Sequence, residues 1–573
     1  MHAITTLFFF FGQDIPALLI VAMSAAFLLI SLRKSGRLAT LGLPFADDLC
    51  EADKARRLML AYAAGAGVVS LLIGVLVLRS FPLSIDEKMV FYDAKIFSQG
   101  VLAAPVPEMF RDLIGVFERL YVKATPDHAL HHSMYLPLNA LLHLPFIALG
   151  LPTLMDALMV AGTVVVTYDI IRKLLPDRPD AALFGAVMLA TSPQILLTGA
   201  TVYAMTAHLF IDMLWLRLMM ADRRLAWVLA VVLGFIASGL HQWAYFPFFA
   251  LGFVWEWWRG RDYPRLFAAA LPAVVGVVVW SRYRHYSLPD FWTAAMPTQG
   301  DQTLMAQAQA FGSALAPSIA LVLEHLTAPA EHEHQASLMP YNLFRFVIWQ
   351  NPALWFAVVA GYPLWKKVAL VRGIMLSMLA MGLVVTLFVP FQGHGWGYRY
   401  LHHFLGGLSL CAAYGYQRLQ QDSVAWPAMV LDLARSVRVW CGVTMLVVLP
   451  LLVAVSGFYS WNYWRIDREL SAIRADLILV DTIDMPYAFN FIDNDPFYRE
   501  RPLRMLVAKI ELPMLDKLCA IGTVHLYRAK TPFDSSEAQR AAELPALIQQ
   551  LLDPQTWRQR GCRLVDARGQ PLP

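Results

Sequence analysis

The chain has 573 residues, of which 58% are hydrophobic and 15% charged, with a formal net charge of +4 and a mean hydropathy of +0.51. Soluble globular chains carry about 25% charged residues, so a water-soluble protein is excluded, and so small a charge without a basic patch excludes a nucleic-acid partner. Five cysteines with no CxxC or Cys/His spacing exclude a dense disulfide framework and a zinc site of the usual kind.

The N-terminal stretch lacks a basic n-region and a small-residue cleavage site, and reads as a retained first span. A helix needs about 20 apolar residues to cross a 30 Å hydrocarbon core. About twelve spans are predicted on that basis: Ile15–Leu32, Leu58–Leu78, Thr153–Ile171, Ala181–Leu197, Thr201–Met220, Leu225–Leu240, Trp243–Trp258, Leu266–Trp280, Asn342–Trp365, Gly373–Val389, Leu401–Tyr416 and Val439–Phe458. Basic residues fall at alternate connections: Arg33 to Arg57, Arg172 to Arg178, Arg223 and Arg224, Arg259 to Arg265, Lys366 to Arg372, and Arg418 to Arg438. Short positive loops stay in the cytoplasm. The first outer loop (79–152), the second large outer loop (281–341) and the C-terminus are therefore expected outside the cytoplasm.

Two elements of the first outer loop are expected at the membrane surface. One follows Ser84 or Asp86 as a cap, with Met89, Phe91, Tyr92, Ile96 and Phe97 at helical spacing. The other is Tyr135–Gly150, too rich in proline to be a span and read as interfacial or re-entrant. After Phe458 the hydropathy collapses. ADLILVDT, PLRMLVAKI and GTVHLYRAK read as strands and Ser535–Leu552 as helix, so residues 1–458 form a polytopic all-α membrane domain and 459–573 a small extracytoplasmic α/β domain. Cys519 and Cys562 face an oxidising compartment in this topology and are candidates for a bridge, with two buried thiols as the alternative.

Asp86 and Glu87 stand just beyond the second span, where a carboxylate can take a proton from a hydroxyl nucleophile if burial keeps its pKa in range; a solvated acid at a helix start is the bland alternative. A second group gathers at the outer surface: His131, His132, His208, His241, and His394, Tyr398 and Arg399 in FQGHGWGYRYLHHF. Ionisable groups at such depth need a partner or a wet cavity. Arg399 is the lone basic residue of a short outer connection, and a guanidinium grips phosphate bidentately; the alternative is an interfacial anchor beside Trp396 and Tyr400. The tract Glu331, His332, Glu333, His334, with His325 nearby, reads as a solvated loop without the rigid spacing a metal needs.

Asp86-Glu87 with Tyr92 and Gly100, Tyr135-Leu136-Pro137-Leu138 leading into an interfacial helix, the stretch ATSPQILLTGATVYAMTAHLFIDMLWLRLMM and the motif HGWGYRYL together resemble the C-type glycosyltransferases (GT-C). The nearest kin are the bacterial branch related to lipid A aminoarabinose transferases and protein O-mannosyltransferases. The resemblance extends over Ile15–Phe458 by topology and over these short stretches by motif. It implies a multi-pass enzyme of the bacterial inner membrane that takes a sugar from a polyprenyl-phosphate or diphosphate donor. The partners it implies are membrane lipids and a glycan, lipid or protein acceptor. It places Asp86 as general base of an inverting transfer with Glu87 beside it, and Lys88, Tyr92, His131, His132, Tyr135, His208, His241, His394, Tyr398 and Arg399 as substrate-binding candidates. Two departures stand out. The second acid that some members carry between the fourth and fifth spans is absent, Tyr203 and His208 standing there instead, which counts against a paired-acid or metal version of the mechanism, although a divalent metal stays the one cofactor under consideration. Lys88 follows the acidic pair and could lower its basicity. A transporter or lipid-linked glycan flippase, and a polysaccharide polymerase or ligase, remain alternative readings of the same spans.

Overall fold

The long apolar runs of the chain fold as long helices, which satisfy their own backbone hydrogen bonds where lipid offers none. The computed structural model describes residues 8–35, 41–45, 51–118, 121–242, 244–285, 333–388, 392, 396–481, 488–528 and 545–572. In chain order the principal helices are α1 (Ile15–Ser35), α2 (Ala52–Leu72), α3 (Ile85–Ser98), α4 (Leu138–Ala148), α5 (Leu154–Leu174), α6 (Pro179–Ala190), α7 (Pro193–Thr198), α8 (Ala204–Met219), α9 (Arg224–Ser238), α10 (Tyr245–Arg259), α11 (Tyr263–His285), α12 (Glu333–Ile348), α13 (Pro352–Gly361), α14 (Ala369–Phe388), α15 (Leu405–Gln420) and α16 (Val437–Ala472).

The chain is a multi-pass membrane protein. Among the described residues six helices are long and apolar enough to cross a membrane, and the pair Met339–Ile348 and Pro352–Leu364, bent by 99°, would make a seventh. Each of the twelve segments expected as spans contains helix, yet several are too short to cross alone. The Ser192-Pro193 turn breaks Ala181–Leu197 into α6 and α7, and α9 and α10 have 15 residues each, about 22 Å of rise. Close approach fills the bundle: a Cβ on Gly252 would sit 1.9 Å from the Gly373 carbonyl oxygen, so only glycine lets α10 lie against α14.

The first outer loop holds α3, α4 and a small antiparallel sheet in the order β1 (Ala104–Pro105), β3 (Leu130–Ser133), β2 (Val122–Ala124). α4 has 11 residues, short for a crossing, as an interfacial element should be. α3 departs from the surface helix expected: Glu87, Lys88, Met89, Val90, Tyr92, Asp93, Ala94, Ile96 and Phe97 are all buried, so its burial extends well round the helix. The cover is shared between α4 with the small sheet of the same loop and the C-terminal region. There β4 (Leu477–Asp481), β5 (Leu503–Leu506), β6 (Thr523–Arg528) and β7 (Arg563–Leu564) form a parallel sheet in the order β5-β4-β6-β7, matching the three strands expected. Of the helix expected at Ser535–Leu552, Ala546–Leu552 is helical and residues 535–544 lie outside the described residues.

The C-terminal sheet shares a core with the first outer loop. Val106, Phe110, Leu113, Ile114, Val116 and Phe117 of the first outer loop are buried in one core with Leu477, Leu503, Leu518, Val524 and Trp557. Sheet and loop therefore lie on the same side of the bundle. Cys519 and Cys562 are bridged, with Cα atoms 4.7 Å apart, inside the range a disulfide spans.

Candidate functional site

Ser84 starts α3. Its hydroxyl accepts from the Glu87 amide at 3.2 Å, and Glu87 Oε2 accepts from the Ser84 amide at 3.0 Å, which is a reciprocal capping box. That box gives the acidic pair two different jobs. Glu87, expected beside Asp86, turns its carboxylate back to the helix start. Asp86, one residue earlier, is left to point toward Tyr135 and Arg399.

Asp86 is held by two donors. Tyr135, just before α4, donates its phenol to Oδ1, and Arg399 donates from Nη1 to Oδ2 at 2.5 Å. Arg399 opens a short 3-10 turn (Arg399–Phe404) leading into α15, and its guanidinium also lies over the Tyr203 ring, 4.5 Å from the centroid. Tyr135 in turn stacks on His241 at 4.7 Å and 15°. Segments distant in sequence thus meet at one carboxylate, which is 19% exposed, against 11% for Arg399. The Arg399 Nε is buried with no hydrogen-bond partner, a donor in reserve.

The electrostatics of the two acids diverge. Burial works to raise the Asp86 carboxyl, but the Arg399 charge, His241 and the two hydrogen bonds outweigh it and hold it below the usual carboxylate range. Burial dominates at Glu87, where the Ser84 bonds and Arg399 offset it only in part, and its pKa rises to about 7. Burial and the Asp86 charge push the Tyr135 phenol up, so it stays a donor. Beside Asp86 lies a cavity of about 20 Å³ lined by Asp93, Tyr135, Asn139, Tyr203 and His241, room for about one water.

Other expected residues go elsewhere. Lys88 is 1% exposed and pairs with Asp493 at 2.6 Å, so it neither lines the site nor lowers the basicity of Asp86 by contact. Tyr92 and His131 meet at 3.2 Å, and His131 donates to the Pro496 carbonyl at 2.6 Å and stacks on Tyr498, so both tie the first loop to the C-terminal region. His132 donates to the Ser133 carbonyl at 2.8 Å, and burial lowers its pKa. Tyr398 turns inward, its hydroxyl on Met339 Sδ at 3.5 Å. His208 is buried behind Tyr245, with the ring centroids 4.9 Å apart and neither ring nitrogen hydrogen-bonded. His394 lies outside the described residues, as do His325, Glu331 and His332. No group of three or more His, Cys, Asp or Glu among the described residues is arranged to hold a metal ion.

Asp93, Asn139 and Gln194 were missed. The helical period carries a signal for Asp93, seven residues from Asp86 and hence on nearly the same face of α3. Gln194 carries none beyond its place after a Ser-Pro turn.

No family model matches the chain, and no curated protein matches it. Among solved structures it is similar to ArnT from Cupriavidus metallidurans in the apo state, at 14% identity over 80% of this chain and 86% of that one, with a TM-score of 0.44. It is similar also to the same protein bound to undecaprenyl phosphate, at 13% identity over 79% and 85% of the two chains, again with a TM-score of 0.44. Likeness this loose leaves the functional reading to the site's own geometry.

Proposed function

We propose that the chain is an inverting membrane glycosyltransferase with Asp86 as general base and Arg399 as the group that receives the lipid phosphate of a polyprenyl-phosphate or diphosphate sugar donor. In this proposal about twelve helices cross the bacterial inner membrane, and α3, Arg399 and the C-terminal sheet lie on its outer face. One observation carries the reading: a half-buried carboxylate just past the second span is gripped by an arginine with a spare donor. The disulfide, a bond of oxidising compartments, supports the outer placement.

The chemistry is a single displacement. The acceptor hydroxyl oxygen attacks the anomeric carbon, the bond from that carbon to the phosphate oxygen breaks, and the lipid phosphate leaves with the electron pair. The hydroxyl proton passes to Asp86. While Arg399 sits on Asp86 the carboxylate is a weak base. An arriving phosphate draws the guanidinium toward itself, burial then prevails at Asp86, and its basicity rises as the leaving group gains its counter-charge. Donor binding arms the base.

The test is transfer of radiolabelled sugar from undecaprenyl phosphate in membranes carrying the parent or Asp86→Asn. The expected result is label leaving the lipid fraction only with the parent, while the variant binds undecaprenyl phosphate at least as tightly because its guanidinium is freed. Near-parental transfer by Asp86→Asn would end the proposal, and so would movement of intact labelled lipid across the bilayer without transfer, the signature of a flippase.

A further inference from the structure

The loop that carries Arg399 is held by a chain of buried amides. Ser192 Oγ, which caps α7 by accepting from the Ile195 amide, donates to Gln350 Oε1 at 2.6 Å. Gln350 Nε2 donates to Gln194 Oε1 at 3.0 Å, and Gln194 Nε2 donates to the Tyr398 carbonyl at 2.9 Å and lies 3.3 Å from His402 Nδ1. The direction of this chain is fixed by its end. A carbonyl can only accept, so Gln194 must turn its nitrogen to Tyr398 and its oxygen to Gln350. Gln194 is fully buried and Gln350 is 2% exposed, and a primary amide in such a place is costly unless its bonds are made.

The contacts of Gln194 straddle Arg399, one residue before it and three after. From the other side Gln392 accepts from the Arg399 amide at 2.6 Å and donates to the Gly397 carbonyl at 2.9 Å. Gly397 has a φ of +81°, and a Cβ there would stand 2.4 Å from Gln194 Cγ, so glycine alone lets the loop close on that side chain.

We propose that Gln194 is a positioning residue for Arg399: its amide, braced by Gln350, sets where the guanidinium stands relative to Asp86 and to an incoming phosphate. This rests on the reading that Arg399 receives the lipid phosphate. Gln194 makes no contact with the reacting groups and acts through the loop.

A double-mutant cycle tests it. Parent, Gln194→Met, Arg399→Ala and the double variant are placed in lipid nanodiscs, and the Kd for undecaprenyl phosphate and the Tm are measured for each. Gln194→Met is expected to weaken binding about 10- to 100-fold, the effect of losing a buried hydrogen-bonded partner. In the Arg399→Ala background the same change should weaken it no further, whereas a general packing defect would lower Tm and multiply through the cycle. If Gln194→Met does not fold, Gln350→Leu, which removes the brace, should give the same pattern. An unchanged Kd in Gln194→Met, or independent multiplication of the two effects, overturns the inference and leaves the function of Arg399 standing. A parental Kd in Arg399→Ala overturns both.

Discussion

The two faces of α3 use charge in opposite ways. On one, Asp86 meets Arg399 with part of each side chain open to solvent and a guanidinium nitrogen to spare. On the other, Lys88 is closed against Asp493 and Asp467, Lys95 pairs with Asp495 at 3.0 Å, and a charged cavity of about 310 Å³ separates the helix from the C-terminal region. The first face has unused bonding capacity; the second is a joint, binding the loop that carries α3 to the sheet. Asp493 and Lys95 are more exposed than Asp86 and Arg399, so what sets the first face apart is the spare guanidinium donor rather than openness to solvent.

The sharpest way to break this comparison is to remove one charge from each face. Asp86→Asn should lower transfer by about 10²–10⁴-fold, the range general-base catalysis supplies, with Tm near the parental value. Lys88→Met should leave undecaprenyl phosphate binding within a few-fold of parent and lower Tm instead. Asp493→Asn should lower Tm further than Lys88→Met, because it leaves a buried lysine only the longer contact to Asp467, 3.9 Å, where the reverse change leaves a carboxylate that solvent reaches. If Lys88→Met abolished transfer with Tm unchanged, the second face would belong to the site.

Smaller in effect is the choice of cation. Arg399→Ala should weaken undecaprenyl phosphate binding by about 10-fold or more, and Arg399→Lys by less, since lysine keeps the charge and loses the planar fork. Equal affinity in both variants and the parent would leave Arg399 as a membrane anchor.

Asp86 and Arg399 were legible because each breaks a local pattern, an acid just past a span and a lone cation in a neutral connection. Of the residues grouped with Asp86 from sequence, Tyr135 and Arg399 do bond it, while Lys88 and Tyr92 point elsewhere for a geometric reason. At about 100° per residue, Lys88 points roughly 200° away from Asp86 and Tyr92 about 240° away, whereas Asp93 returns to within about 20°. Proximity in sequence suggested Lys88; the helical period selects Asp93. The strands of the C-terminal sheet were legible from their apolar runs, but the share of its core supplied by Val106 to Phe117 was not, because those residues lie several hundred positions earlier and look like ordinary loop. Gln194 was illegible because a buried amide is defined by its partners, Tyr398 and Gln350, which adjoin it only in space.

The joint can also be loosened from its far side. Cys519→Ala or Cys562→Ala opens a loop of sequence separation 43, which should cost about 4 kcal/mol of C-terminal stability on loop entropy. Because the bridge lies beside β7, at the sheet edge opposite β5, transfer at low temperature should persist while the midpoint of C-terminal unfolding falls. Loss of transfer at temperatures where the sheet is intact would mean that the bridge reaches the site.

The smallest effect separates the two adjacent carboxyls by pH. The Glu87 pKa is raised from the ordinary 4.5 to about 7, so the folded protein holds that proton more tightly than the unfolded chain does. Its contribution to stability is full below about pH 4.5 and is lost as pH rises through 7. Asp86 runs the other way: its pKa is lowered, so its contribution is present above about pH 4 and is lost only on acidification. Glu87→Gln keeps an oxygen to accept from Ser84 and cannot ionise, so it preserves the capping box and removes the upper titration. The parental Tm should therefore decline between pH 5 and 8 more steeply than that of Glu87→Gln, with the two proteins closest at pH 5 and the variant at least as stable at pH 8. Below pH 4 the variant should still lose stability, because Asp86 is unchanged. Parallel curves across pH 5 to 8 would show that the buried end of the capping box does not titrate there, and the division of labour between the two acids would then rest on the Arg399 pair alone.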